Sequence, residues 1–123
     1  IEAVPDLSHL RAADALLLVC PAQAVRDLAR QLPGGAPVVI CAKGIEASSG
    51  LLMPEVLSEA LPRRAIAMLS GPSFAEEAAR GLPTAVSIAT HDAALGRALA
   101  EALESLGFEP DRIADLMASG ALA

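Results

Sequence analysis

Four short apolar runs, each stopped by a turn or helix-breaking residue, constrain this chain more than any other feature. They are ALLLVC before Pro21, PVVICA before Lys43-Gly44, AIAML before Ser70-Gly71-Pro72, and TAVSIAT before His91-Asp92. The first is continuously apolar, as a strand buried on both faces must be, and central parallel strands are of that kind. The fourth alternates better and reads as a strand near an edge. Between the runs lie stretches of helical spacing. Residues 22–32 place Val25, Leu28, Ala29 and Leu32 on one stripe, 53–61 carry Pro54 in the first turn, and 92–106 carry Leu95, Leu99, Leu103 and Leu106. Those four leucines read as core. Alternating strands and helices with short connections predict an α/β domain: three layers, a mostly parallel sheet flanked by helices, with right-handed crossovers.

Smaller signals fill in the rest. Asp6 reads as the N-cap of a short helix over 6–11, and Pro33-Gly34-Gly35 stops the 22–32 helix. A short helix over 74–80 is closed by Gly81, and Gly107 closes the long one. Residues 108–110 read as a last strand and 111–118 as a last helix. Cys20 and Cys41 end their apolar runs and read as buried, reduced thiols, without a disulfide framework or paired CxxC metal spacing.

At 123 residues the chain is about one domain. Fifteen acidic residues against nine basic give a net charge of −6, and only two residues are aromatic. That balance argues against nucleic acid as a partner, since neither phosphate neutralisation nor base stacking has much to work with. Uncharged runs such as 65–75, which contains Gly71-Pro72, fall well short of the roughly 20 apolar residues a membrane-spanning helix needs. The opening IEAVPDLSHL lacks the basic start and apolar stretch of a signal peptide, so a cytoplasmic location is expected. A small phosphorylated ligand stays open, because one placed lysine or a helix N-terminus holds phosphate even in an acidic protein.

In an open parallel sheet, ligands bind beyond the carboxyl ends of the strands. Three such ends here carry unusual residues: Cys20-Pro21-Ala22-Gln23, Cys41-Ala42-Lys43-Gly44 and Ser70-Gly71-Pro72-Ser73. Lys43 is the sole lysine, placed directly after a strand and before a glycine. It is either an exposed loop lysine or a firmly based ammonium that pairs with phosphate or donates to a hydroxyl. Ser73 and Glu76 form a capping box, which by itself explains a helix start there. Alternatively, Gly71 and Ser73 touch a ligand. Glu76 and Glu77 add negative charge to that first turn, which disfavours a phosphate clamp and favours contact to a neutral hydroxyl or amide. His9 and His91 lie far apart on surface elements, and the other acidic residues read as solvated helix faces and caps. The chain contains neither GxGxxG nor a P-loop.

CAKGIEASSGLLMPEVL followed by LSGPSFAEEAARGLPTAVSIA resembles the NAD(P)-dependent glycerol-3-phosphate dehydrogenases of the bacterial type. The carrying motifs are Lys-Gly-Ile-Glu after a strand, a strand ending in Ser-Gly-Pro-Ser-Phe-Ala, and Gly-Leu-Pro-Thr-Ala leading into the next strand. DALLLVCPAQAVRDLARQL resembles the preceding strand–helix unit, so the likeness covers about residues 5–107. The resemblance implies that 1–123 is the later part of an N-terminal Rossmann domain binding NAD or NADP. Lys43 would contact cofactor and substrate, Gly71 and Ser73 would line the substrate site, and Ala75 would lie against the cofactor. The substrate would be a small phosphorylated molecule, sn-glycerol 3-phosphate or dihydroxyacetone phosphate, in a reaction feeding phospholipid synthesis. A homodimer stays open for the full-length enzyme. The family's Gly-rich first strand-loop unit has no counterpart here, nor has its helical domain with the Gly-Gly-x-x-Lys-Asn motif that supplies the catalytic lysine. No catalytic residue is therefore assigned, and this chain alone is expected to be inactive. Two alternatives remain: a related two-domain reductase such as a ketopantoate reductase, or a non-catalytic α/β binding module.

Overall fold

A computed structural model describes residues 2–71 and 75–113. The chain opens with a 3₁₀ turn over Leu7–Ala12, capped as expected by the Asp6 carboxylate, which accepts from the Ser8 amide. Strand β1 (Leu16–Leu18) leads through a 3₁₀ turn (Ala22–Ala24) into helix α1 (Val25–Gln31). Then come β2 (Val38–Ile40), α2 (Met53–Ala60), β3 (Ile66–Ser70), α3 (Ala75–Ala79), β4 (Thr84–Ala89), α4 (Ala93–Glu104) and β5 (Phe108–Ile113). The strands form one sheet in the order β1-β2-β3-β4-β5. The α/β expectation holds, with helices flanking a mostly parallel sheet.

Helices α1 and α2 pack on one sheet face. Leu18, Val38, Ile40, Met68 and Ala89 meet Val25, Ala29, Met53, Val56 and Leu57 there in one buried cluster. Side chains alternate across a strand, so Val39, Ala67 and Ile88 point to the opposite face, and they are buried too. The middle of the sheet is thus covered on both sides.

Four expectations need correction. First, in the sheet of the described residues β1 stands at one end of the order rather than in the middle, and Leu17 and Val19 are 58% and 74% exposed. An edge strand with one helix-covered face buries only every second residue, whatever the hydropathy of its sequence. Second, β4, near an edge as expected, does not follow β3 by a parallel crossover. It lies between β3 and β5, pairing with β5 along all six of its residues. It runs antiparallel to β3, whereas the other pairings are parallel. The five-residue α3 rises only about 7.5 Å, too little to carry the chain back along a strand of about 20 Å, so β4 returns directly.

Third, the leucine stripe of α4 is not its deepest contact. Gly96 and Ala100 are buried, Leu95, Leu99 and Leu103 are half-buried, and Leu106 is 73% exposed. Small residues let the helix approach closely: a Cβ on Gly96 would lie 3.2 Å from the Thr90 methyl. Fourth, residues 111–113 continue β5 instead of starting a helix, because β4 offers an open ladder as far as Ala89. The rest of the expected last helix lies outside the described residues.

Candidate functional site

Strands β1, β2 and β3 are parallel and in step, with Leu18, Ile40 and Met68 on one level. Their carboxyl ends therefore share one rim of the sheet, spanning two strand spacings or about 10 Å. Cys20, Ala42 and Ser70 each lie two residues past that level. The convergence expected from the sequence is present.

Lys43 is exposed on this rim, and both of its flanks are fastened. Ala42 behind it is buried in the core. Gly44 ahead of it has φ +124°, and its Cβ position lies 3.5 Å from the Ala22 methyl, so the chain leaves β2 against the loop that follows β1. Beyond it, Ile45 bridges to Leu52, and the Glu46 amide donates to the Leu51 carbonyl at 2.9 Å. The Gln23 amide side chain spans the two loops, donating to the Ile45 carbonyl and accepting from the Ala47 amide, each at 2.9 Å.

Glu46 corrects the reading of the acidic residues as solvated faces and caps: it is only 5% exposed. The Arg26 guanidinium grips it with two bonds, Nε to Oε1 at 2.9 Å and Nη2 to Oε2 at 2.8 Å. Ser49 Oγ donates to Oε2 at 2.5 Å. Arg26 also reaches Glu59 of α2 at 2.9 Å, tying loop, α1 and α2 together. The Arg26 bonds first, and the Ser49 bond second, hold the Glu46 carboxyl down at about 2. Those same carboxylates raise Arg26 above the ordinary arginine range. Sequence reading missed this network, because its members lie 20 residues apart. The available signal was a glutamate inside an otherwise apolar and small-residue loop, with arginine one residue after the apolar Val25.

Gly71 sits half-buried at the end of β3. A Cβ there would lie 2.7 Å from the Ala85 carbonyl oxygen and 3.1 Å from the Val86 Cα. Close packing against β4 therefore requires this glycine whether or not a ligand comes near. Ser73, with its expected capping box, lies outside the described residues. Ala75 is the exposed first residue of α3, followed by exposed Glu76 and Glu77. Cys20 and Cys41 are free but half-buried rather than buried, since strand ends outrun the covering helices. Burial pushes both thiols above their ordinary value.

The rim can offer a ligand one ammonium on a fixed base, with buried Ala42 behind it and Gly44 ahead. That suits a phosphate or a polar oxygen near the reacting end of a dinucleotide. It does not suit the pyrophosphate, whose Gly-rich cradle has no counterpart in this sequence.

A family model described as NAD-dependent glycerol-3-phosphate dehydrogenase N-terminus matches residues 1–98. The NAD(P)+ glycerol-3-phosphate dehydrogenase of Parvibaculum lavamentivorans is 50% identical over 121 residues, 95% of this chain and 36% of that protein. Its namesake in Bradyrhizobium sp. is 51% identical over 120 residues, 94% of this chain and 37% of that protein. The crystal structure of glycerol-3-phosphate dehydrogenase from Coxiella burnetii superposes with a TM-score of 0.83 at 29% identity, covering 94% of this chain and 37% of that one. The chain thus spans little more than a third of the length of these relatives.

Proposed function

The chain belongs to the NAD-dependent glycerol-3-phosphate dehydrogenase family, and on that premise we propose that it forms the later part of an NAD(P)-binding Rossmann domain. The whole enzyme interconverts sn-glycerol 3-phosphate and dihydroxyacetone phosphate, works in the cytoplasm, feeds phospholipid synthesis and pairs as a homodimer. Relatives at half identity favour this over a ketopantoate reductase or a non-catalytic module.

One observation carries the assignment to the site: the sole lysine of the chain stands exposed where β2 leaves the sheet, on a loop anchored at both flanks. NAD(P), when bound, supplies the hydride carrier for the carbinol–carbonyl exchange. The Lys43 ammonium then pairs with the substrate or donates a hydrogen bond to its reacting oxygen, favouring the negative charge that develops there. Gly71 and Ser73 line the substrate, and Ala75 lies against the cofactor. The negative first turn of α3 leaves phosphate binding to Lys43 and to residues outside this chain. Proton transfer belongs to a lysine of the second domain in this reading, so residues 1–123 alone carry no activity.

The test is Lys43→Ala in the full-length enzyme. Its kcat/KM for glycerol 3-phosphate is expected to fall about 100-fold or more, the loss typical of removing a charge-stabilising donor. A near-normal rate would remove Lys43 from the site.

A further inference from the structure

We propose that Gln23 is a positioning residue for Lys43, resting on the reading of Lys43 as a substrate contact. The observation is the pair of hydrogen bonds from one exposed side chain to both sides of the same loop residue. Gln23 Nε2 donates to the Ile45 carbonyl, and Oε1 accepts from the Ala47 amide. The primary amide thereby imitates a neighbouring strand, satisfying an outward carbonyl and amide two residues apart. Glu46, between them, turns its own amide the other way to the Leu51 carbonyl, while Arg26 grips its carboxylate.

The stretch 45–47 is thus fixed laterally from both directions, two residues after Lys43. Gly44, the single link between them, is packed against Ala22, the residue before Gln23. Any sideways slip of 45–47 moves the root of the lysine. Solvent-exposed hydrogen bonds add little to folding stability, so their effect falls on where the loop sits. A displacement of about 1 Å is enough to lower turnover substantially in a preorganised site.

The experiment compares Gln23→Ala, Lys43→Ala and the double variant in the full-length enzyme, with kcat and KM for glycerol 3-phosphate and hydrogen exchange at the Ala47 amide. Gln23→Ala is expected to lower kcat/KM about 10-fold with the Tm unchanged, and to speed exchange at Ala47. In the Lys43→Ala background the same substitution is expected to change the rate less than about twofold, because the group it positions is gone. Multiplying effects would show that Gln23 acts independently of Lys43 and would overturn the inference. Unchanged exchange at Ala47 would overturn the clamp itself. Normal turnover in Lys43→Ala with faster exchange in Gln23→Ala would instead locate the failure in the reading of Lys43.

Discussion

Two arginine–glutamate pairs stand beside two of the three rim loops, those after β2 and β3, the same chemistry in opposite settings. Arg26 and Glu46 meet at 2.8 Å across 20 residues of sequence, with side chains only 19% and 6% exposed. Arg80 and Glu76 meet at 2.6 Å one helical turn apart, with side chains 68% and 73% exposed. The shorter contact is the weaker anchor. Water competes for an exposed pair and two long side chains must be ordered to make it. A desolvated pair is costly to break, since the surviving partner stays buried and unpaired. The first pair therefore binds the Lys43 loop to α1 and, through Glu59, to α2. The second fastens only α3 to itself. Among the described residues, the end of β3 is set by a steric fit, Gly71 against the backbone of β4.

That contrast breaks first at Gly71. Gly71→Ala places a methyl 2.7 Å from the Ala85 carbonyl oxygen and 3.1 Å from the Val86 Cα, both backbone atoms of a central strand. Overpacking of this kind costs about 1–3 kcal/mol. Urea unfolding of the 123-residue chain measures it. A loss below about 0.5 kcal/mol, ordinary for a surface change, would show that β3 and β4 part without resistance.

The two loops also differ in how far they could be read beforehand. The Lys43 rim was legible because its signals are local: apolar runs mark β1, β2 and β3, and residues following parallel strands must share a rim. The turn-backs were legible too, from Pro54, Gly81, Asp92 and Gly107. What escaped were properties that depend on neighbours. The ALLLVC run has the hydropathy of a central strand, yet burial depends on position in the sheet, which puts Leu17 in solvent. The antiparallel β4 follows from the length of α3, a quantity a sequence boundary error easily hides. Glu46 looks like any loop carboxylate until Arg26 is brought across from α1. Gly71 suggested a ligand or a turn, whereas its nearest constraint is Ala85.

The Arg26–Glu46 pair is next in expected size, and pH resolves it. The folded chain holds the Glu46 carboxyl at about 2, below the ordinary 4.5, chiefly through its Arg26 bonds. Folding therefore favours the ionised form. The stabilisation is complete above pH 4.5 and is lost as pH falls from there toward 2. Glu46→Gln keeps the shape and removes the titration, so its stability is expected to be lower at neutral pH and flatter below pH 4.5. Thermal unfolding of parent and variant between neutral and acidic pH reads both effects. Parallel profiles would mean that the ion pair contributes no more than its neutral counterpart.

The smallest effect is expected from Arg80→Ala. Only the Glu76 carboxylate, an exposed partner one turn back in α3, loses its contact. The backbone bonds that end α3, from the Arg80 amide to Glu76 and from the Leu82 amide to Glu77, do not depend on the side chain. A loss of about 0.5 kcal/mol or less is expected, and added salt should shrink the difference further because exposed charges are screened. The same substitution at Arg26 strips Glu46 and Glu59 together and should lower the Tm visibly more. Equal losses at the two arginines would mean that burial and sequence separation do not set the strength of these pairs. The architectural contrast between the loops would then rest on Gly71 and Gln23 alone.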